Sequence, residues 1–297
     1  MHITALALGV ISLVLTGAVA RAQAPTSRVI GEPGSLRVQS RPCQTVAADS
    51  VRRRIVDLAL QEWTFFGKRM AAPRDTSEDD LPEQERRRRR PRLPPDEAAR
   101  FAPAIAGYWA VTPEGPWIVA RQNERWAGED GISARWNAPW SAAFISWVMC
   151  EAGLITSAQF QRAIAHHTYI DQALRARDGR APQAMFVARD TGEVAIAPGD
   201  LLCVSRRPAY RTLAERRRQM GVGARSHCDI VVDVDEPRGL LRAVGGNVRG
   251  VVSMKIFPLV RETGRPPRAH TGDEGRPLFA HLQLRAAPVH ADYGGIP

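Results

Sequence analysis

The segment WNAPWSAAFISWVMCEAGL, residues 136–154, constrains the fold of this chain more than any other stretch. Asn137 and Pro139 are typical of the start of a helix, and Gly153 is typical of the left-handed residue just beyond its end. Nearly every residue after position 141 is apolar, and a helix that is apolar on every side belongs in the interior of a protein. The segment therefore predicts a buried central helix.

Ser141 lies in the first turn of this predicted helix. The backbone N–H groups of a first turn have no intrahelical partner, and the positive end of the helix dipole favours negative charge there. A serine nucleophile suits that position, but serine is also common at helix starts for structural reasons. The position alone leaves both interpretations open.

The first 24 residues have the features of a bacterial-type signal peptide. A short apolar stretch ends in small residues, and Ala22-Gln23-Ala24 fits a signal-peptidase site. An uncleaved anchor is the alternative, although the apolar run is short for a membrane span. We expect the mature chain to be periplasmic or secreted and to contain no transmembrane segment.

Export permits disulfide bonds, and the chain contains four cysteines. Cys203 and Cys228 each lie at a predicted strand, which favours that pair and leaves Cys43 with Cys150. No two cysteines are close enough in sequence to form a zinc knuckle.

The formal charge of +10 comes almost entirely from arginine, since lysine occurs only at Lys68 and Lys255. A basic exported protein is attracted to anionic polymers of the cell envelope, such as peptidoglycan. The arginines do not alternate with aromatic residues as a stacking platform for nucleic acid requires, so we expect no nucleic-acid partner.

Changes in composition divide the chain into successive regions. Residues 71–100 have almost no large apolar side chains and include five consecutive arginines, which predicts a solvated, disordered insertion; a basic arm that binds an anionic polymer is the alternative. The predicted regions are a signal peptide at 1–24, an extended lead-in at 25–47, a main domain at 48–260 that contains the insertion, and a Pro-, Gly- and Arg-rich tail at 261–297 with a closing strand at 278–284.

The spacing of apolar residues predicts helices early in the main domain and strands late in it. Glycine and proline among aromatic residues predict loops and short turns over 101–135. Helices followed by an antiparallel meander indicate an α+β fold. The predicted elements are helices at 49–70 and 157–177, strands at 183–188, 201–204, 227–234, 239–244 and 251–257, a long loop at 205–225, and a tight turn at 245–247.

Ser141, His227 and Asn247 are the candidate catalytic residues. They lie at a helix start, a strand start and a turn, and a nucleophile, its base and an orienting group are often brought together from separate elements. His227 would accept the serine proton, and the Asn247 carbonyl would hold the imidazole. The alternatives are a hydrogen-bonded structural histidine and an ordinary turn asparagine. Asp229 could also orient His227, but its place two residues along the same strand favours a structural polar group.

Trp140, His166 and Tyr169 are the candidate substrate-binding residues, expected to form walls of a cleft, although core packing is the alternative for the aromatic pair. His166 and His167 have no third ligand at a suitable spacing, so we expect no metal site. No cofactor motif is apparent.

The motifs PWSAAFISWVMCEAGL, AHHTYIDQAL, PGDLLC, HCDIVVDV and GGNV, in this order over residues 137–253, resemble the bacterial secreted family named domain of unknown function 2272. The order also resembles the CHAP and NlpC-type branch of papain-like peptidases. That branch implies a buried helix that carries the nucleophile and packs on an antiparallel sheet. This chain departs from the branch because Ser141 stands where papain-like enzymes have cysteine, and a hydroxyl is much less acidic than a thiol.

The expected function is hydrolysis of an amide bond in cell-wall peptide. The first alternative is a catalytically inactive fold that acts as a peptidoglycan-binding or envelope assembly module. Two weaker alternatives are a thiol site at Cys228 and polymer binding through residues 84–92.

Overall fold

The computed structural model describes residues 24–72, 93–207, 210–271 and 277–287, and these residues form an α+β fold. The helices longer than four residues are α1 (Val51–Phe65), α2 (Pro95–Trp109), α3 (Gly115–Trp126), α4 (Ser141–Glu151), α5 (His166–Arg177) and α6 (Leu213–Arg218). The strands are β1 (Val29–Ile30), β2 (Arg37–Val38), β3 (Arg69–Ala71), β4 (Phe186–Arg189), β5 (Leu201–Arg207), β6 (Arg225–Asp235), β7 (Leu240–Val248), β8 (Val251–Val260), β9 (Arg268–Ala269) and β10 (Leu278–Leu284).

The main sheet is mixed but mostly antiparallel. Its strand order is β3-β8-β7-β6-β5-β10-β4. The short strand β9 forms an additional pair with β8. Only β3 runs parallel to its neighbour, while the other described pairs are antiparallel. The predicted α+β class is confirmed, and the predicted closing strand is β10, which lies next to the edge of the sheet, between β5 and β4.

Helix α4 is the centre of the packing, as its sequence predicts. All of its residues are buried, and it contacts α1, α2, β6 and β7. The N-cap is Trp140 rather than the predicted Asn137, because the chain becomes helical only at Ser141. Gly153 has a φ of 96°, as expected for the left-handed residue beyond the helix end.

The close approach of α4 to the sheet depends on a glycine. A Cβ atom at Gly246 on β7 would lie 2.7 Å from Cβ of Phe144 on α4. The prediction of a tight turn at 245–247 is wrong. The three residues belong to β7, where the absence of side chains at Gly245 and Gly246 makes room for neighbouring groups.

Both predicted disulfides are confirmed. The Cys203–Cys228 bond joins residues that are direct partners in the β5–β6 register. The Cys43–Cys150 bond fastens the lead-in to the last turn of α4. Next to it, the buried Arg28 donates to Oε1 of Glu151 through Nε at 2.9 Å and through Nη2 at 2.5 Å. The position of α4 is therefore fixed from outside the sheet as well.

The prediction of loops over 101–135 is wrong, because α2 and α3 occupy most of this range. Their buried residues recur at helical intervals, as Phe101, Ile105 and Tyr108 show, but the prolines and glycines among them obscured the pattern. Helix α2 includes an internal proline, Pro103, and begins at Pro95, so the end of the predicted insertion is helical.

Two further boundaries differ from the predictions. Helix α5 begins at His166 rather than at 157, and the predicted loop at 205–225 contains α6 and parts of β5 and β6. The predicted signal peptide up to residue 23, insertion residues 73–92 and the tail from residue 288 lie outside the described residues. Over the described ranges, no helix combines the length and apolar character that crossing a membrane requires.

Candidate active site

Ser141 and His166 form a hydrogen-bonded pair. The serine Oγ lies 2.6 Å from Nε2 of the histidine, and the two residues are only 7% and 4% exposed. Each is the first residue of a helix, α4 and α5 respectively. The serine therefore lies beside the N–H groups of the first α4 turn, which receives no side-chain cap from Trp140.

Helix α4 also fixes the chain that leads into His166. Its internal serine, Ser146, donates through Oγ to the carbonyl of Ala163 at 3.2 Å and accepts the N–H of Ala163 at 3.0 Å. These two bonds hold position 163 against the buried helix, three residues before the imidazole. One helix thus carries the serine and anchors its partner.

The second ring nitrogen of His166 is hydrogen-bonded to the hydroxyl of Tyr169, one turn further along α5. In the tautomer with the proton on Nδ1, the ring donates to the tyrosine oxygen, and Nε2 accepts from Ser141. Tyr169 is fully buried and packs against Phe160, so its hydroxyl is held in place. The three side chains form a hydrogen-bonded chain in which Tyr169 orients His166 and His166 contacts the hydroxyl of Ser141.

The environment keeps His166 neutral. Burial lowers the pKa of its imidazole well below the usual value of 6.5, and the neighbouring His227, Arg206 and His167 lower it further. The carboxylate of Asp229 opposes them. Burial and the same carboxylate raise the pKa of the Tyr169 phenol well above 10, so this hydroxyl stays protonated.

His227 belongs to a separate buried cluster. Its Nε2 lies 2.9 Å from Oδ1 of Asp229, and Lys255 donates to Oδ2 of the same carboxylate at 2.9 Å. His227 is fully buried, and its Nδ1 has no hydrogen-bond partner among the described residues. The ring centroids of His227 and His166 are 5.3 Å apart, so the two clusters are neighbours.

Electrostatics fix the protonation of this second cluster. Burial lowers the pKa of His227 to about 4, against the opposing effect of Asp229. Burial alone would raise the pKa of Asp229, but Lys255 and His227 together hold it below its usual range. At neutral pH the cluster is an ion pair of carboxylate and ammonium with a neutral imidazole attached.

The expected hydrogen bond between Ser141 and His227 is therefore not formed, since the serine bonds to His166 and the imidazole of His227 bonds to Asp229. The expected hydrogen bond between Asn247 and His227 is not formed either, since Nε2 of His227 bonds to Asp229 and its Nδ1 has no hydrogen-bond partner among the described residues. Asn247 lies on β7 with a φ of 58°, in the left-handed region that asparagine tolerates, and its side chain lines the same cavity as Ser141.

A partly open cavity of about 500 Å³ lies over the serine–histidine pair. Of the candidate residues, Ser141, His166, Trp140 and Asn247 line it, whereas His227 and Tyr169 lie behind its wall. Helix α2 and the loop before α4 contribute an apolar side. Besides Trp140, the larger apolar residues of the lining are Leu93, Phe101, Ile105, Trp126, Ile132, Trp136 and Ile164.

Two features of this site differ from the sequence-based predictions. His166 was predicted to form a wall of the cleft, but it is the partner of Ser141, and the spacing of His166 and Tyr169 on one helix face was a usable signal. The arginines of the cavity wall were not predicted, because they are distant in sequence and arginine is abundant throughout the chain. No group of three His, Cys, Asp or Glu side chains suited to a metal ion occurs in the described part of the chain.

Comparison with protein families gave one finding that covers this site. The family model described as "Uncharacterized protein conserved in bacteria (DUF2272)" matches residues 102–284. The matched range contains Ser141, His166, His227 and Asn247. Neither the comparison with curated proteins nor the one with solved structures gave a match.

Proposed function

The chain belongs to the bacterial DUF2272 family, and we propose that it is a serine hydrolase that cleaves an amide bond in cell-wall peptide. Ser141 is the nucleophile and His166 its base. The observation that carries the proposal is the 2.6 Å separation of Ser141 Oγ and His166 Nε2 at the wall of a cavity. A nucleophile within hydrogen-bond reach of a base that is itself oriented by a third group is the arrangement that acyl transfer requires.

The chemistry follows from these positions. Ser141 Oγ attacks the amide carbonyl carbon while its proton passes to Nε2 of His166. The Nδ1–H of His166 donates to the Tyr169 oxygen and keeps the ring oriented as it becomes positive. N–H groups of the first α4 turn stabilise the oxyanion, because the helix dipole favours negative charge there. His166 then protonates the leaving amine as the C–N bond breaks, and water releases the acyl group by the reverse path.

His166 replaces His227 as the base in this proposal. The serine contacts His166, which lines the cavity, whereas His227 is fully buried and engaged with Asp229. We assign His227, Asp229 and Lys255 a supporting role. Their ion pair forms a rigid, charged backing behind the His166 ring.

Export to the cell envelope and a papain-like fold of the CHAP and NlpC type are part of the proposal. The two disulfides support an oxidising compartment, and the net charge of +10 suits an anionic polymer. A buried helix that carries the proposed nucleophile against a mostly antiparallel sheet supports the papain-like assignment.

The test compares paired variants on purified peptidoglycan, with newly released amino groups as the readout. We expect Ser141→Ala and His166→Gln to abolish release, whereas Ser157→Ala, an exposed serine, and His167→Gln, the adjacent histidine, retain it. A fluorophosphonate probe should add its mass to a peptide that contains Ser141, and only in variants that keep both residues. Full activity of His166→Gln together with an inactive His227→Gln would transfer the role of base to His227.

The second candidate function is a silent wall-binding or envelope assembly module. One observation favours it. Burial lowers the pKa of His166, which makes the imidazole a weaker base, and a serine hydroxyl is less acidic than the thiol of papain-like enzymes. Sedimentation with insoluble peptidoglycan separates the two functions. Equal binding by wild type and Ser141→Ala, with no release of amino groups by wild type, would support the silent module.

A further inference from the structure

The large apolar residues of the cavity wall come from segments that adjoin the reacting pair. Trp140 is the N-cap of α4 and directly precedes Ser141, and Ile164 lies two residues before His166. Both residues line the cavity, together with apolar side chains of α2 and of the loop before α4. The apolar wall therefore extends to the serine and the histidine themselves.

Hydrogen bonds hold the loop before α4 against α3. The buried Gln122 on α3 accepts the N–H of Asn137 at Oε1, at a distance of 3.0 Å. Trp126, at the end of α3, donates through Nε1 to the carbonyl of Ala134 at 2.9 Å, and its ring centroid lies 5.1 Å from that of Trp136. The wall is thus formed in advance, so a ligand does not have to order the loop when it binds.

Part of this apolar wall remains accessible. Ile132 and Trp136 are only half-buried, and Ile164 is 39% exposed. A polar wall peptide leaves such surface in contact with water, whereas an aliphatic group removes it from water and gains the hydrophobic contribution. The volume of about 500 Å³ is within the range of small-molecule sites.

We infer that the cavity binds the aliphatic acyl chain of a carboxylic ester and that Ser141 cleaves this ester. The activity goes beyond the proposed function but uses the same Ser141–His166 pair. The acyl chain is assigned to the apolar wall because the acyl group stays on Ser141 after the first step, next to Trp140. The alcohol departs through the open side of the cavity.

The reaction needs no reactant besides water. Ser141 Oγ attacks the ester carbonyl carbon, and its proton passes to Nε2 of His166. The C–O bond to the alcohol then breaks, and the alcohol leaves with that proton. Water attacks the acyl-serine and gives a proton to His166, which returns it to Ser141 as the carboxylic acid is released.

The test measures kcat/KM of the full chain on p-nitrophenyl acetate, butyrate, hexanoate and octanoate. We expect kcat/KM to rise roughly threefold to fourfold for each methylene that the apolar wall covers. Ser141→Ala should abolish cleavage of all four esters. A rate that does not depend on chain length, or cleavage that persists in Ser141→Ala, would overturn the inference.

A variant that fills the cavity locates the acyl chain. Ala98 lines the cavity from α2, whereas its neighbour Ala99 is exposed. We expect Ala98→Phe to lower kcat/KM for octanoate about tenfold more than for acetate, because the added ring occupies space that the longer chain needs. Ala99→Phe is the matched control and should keep the wild-type dependence on chain length. Equal losses on both esters, or the same effect from Ala99→Phe, would contradict the assignment.

The outcome is separable from that of the proposed function. If wild type cleaves the esters with the expected chain-length dependence but releases no amino groups from peptidoglycan, the acyl site stands and the amide hydrolase fails. If wild type releases amino groups but shows no chain-length dependence on the esters, the amide hydrolase stands and the acyl site is wrong. Absence of ester cleavage refutes the inference whatever the result on peptidoglycan.

Discussion

Lys255 donates to both carboxylate oxygens of Asp229, at 2.9 and 3.2 Å, and the exposed fractions of the two residues are only 1% and 2%. The pair connects β8 to β6 across β7. It is one of the few places where the chain uses lysine, in a sequence that otherwise relies on arginine for positive charge. Because both partners are buried, neither can be removed without leaving the other charge unpaired.

We predict that Lys255→Met lowers the free energy of unfolding by about 3–5 kcal/mol, the usual cost of an uncompensated buried charge. The only other lysine is the control. Lys68 is exposed on the surface, so Lys68→Met should cost roughly 0.5 kcal/mol or less. Urea unfolding with the disulfides intact measures both. Equal losses in the two variants would show that the Asp229 carboxylate finds another partner.

Glu62 gives stability a pH dependence of known sign. Its carboxyl group is buried on α1 beside the Tyr108 hydroxyl, and burial raises its pKa from the usual 4.5 to about 7. The folded state therefore holds a proton between pH 4.5 and 7 that the unfolded state releases. The stability that this proton provides is complete below about pH 4.5 and is lost as pH rises through 7.

Glu62→Gln mimics the protonated form at every pH. Raising a pKa from 4.5 to about 7 corresponds to roughly 3 kcal/mol. We expect the variant to exceed wild type in stability by up to that amount at pH 8, and to match wild type near pH 4.5. Thermal unfolding at the two pH values measures the difference, with the exposed Glu124→Gln as control. A difference that does not change with pH would contradict the raised pKa.

The sequence was sufficient for the parts of the fold that one segment determines. Helix α4 was predictable because its residues are apolar on every side, and such a helix is stable only in the interior. The pairing of Cys203 with Cys228 was predictable because each cysteine lies on a predicted strand. The hydrogen-bond partner of Ser141 could not be predicted in this way. His166 and His227 are equivalent in type, and the choice between them depends on how α5 and β6 approach α4 in space.

The two glycines of β7 show why a local pattern fails where tertiary contacts decide. Gly245-Gly246 predicts a turn from propensity alone. In the structure the strand continues, because Gly246 receives Phe144 of α4 and Gly245 receives the His227–Asp229 pair. The reason for glycine at these positions is space rather than backbone flexibility, and the sequence does not contain that information.

A substitution at Gly245 tests this explanation. A Cβ atom there would overlap Oδ1 of Asp229 and lie 2.9 Å from Nε2 of His227. Since both groups are buried and hydrogen-bonded, Gly245→Ala should lower stability by about 2–4 kcal/mol, in the range of overpacked and polar-disrupted cores. Gly223→Ala is the control because no atom lies within 4 Å of its added methyl group. Comparable stability of the two variants would mean that the structure around β7 shifts at little cost to accommodate the added methyl group.

The lowered pKa of His166 predicts how activity depends on pH. The neutral ring accepts the Ser141 proton, and it stays neutral to well below pH 6.5 because burial, His227 and Arg206 disfavour its charged form. We therefore expect the acid limb of kcat/KM to lie well below pH 6.5, so that activity at pH 6 nearly equals activity at pH 7.5. Release of amino groups from purified peptidoglycan over pH 4–8 measures the limb.

Arg206→Gln should move this limb to higher pH, because removal of a neighbouring cation makes the imidazolium less costly. Arg218→Gln, on the exposed surface, should leave it in place. The direction of the shift is the informative quantity, since a variant that merely loosens the cavity lowers kcat/KM at every pH without moving the limb. A limb that stays fixed in Arg206→Gln but moves in His227→Gln would assign the controlling charge to the second imidazole. A limb near pH 6.5 in wild type would show that the base is solvated and would remove His166 from the mechanism as stated.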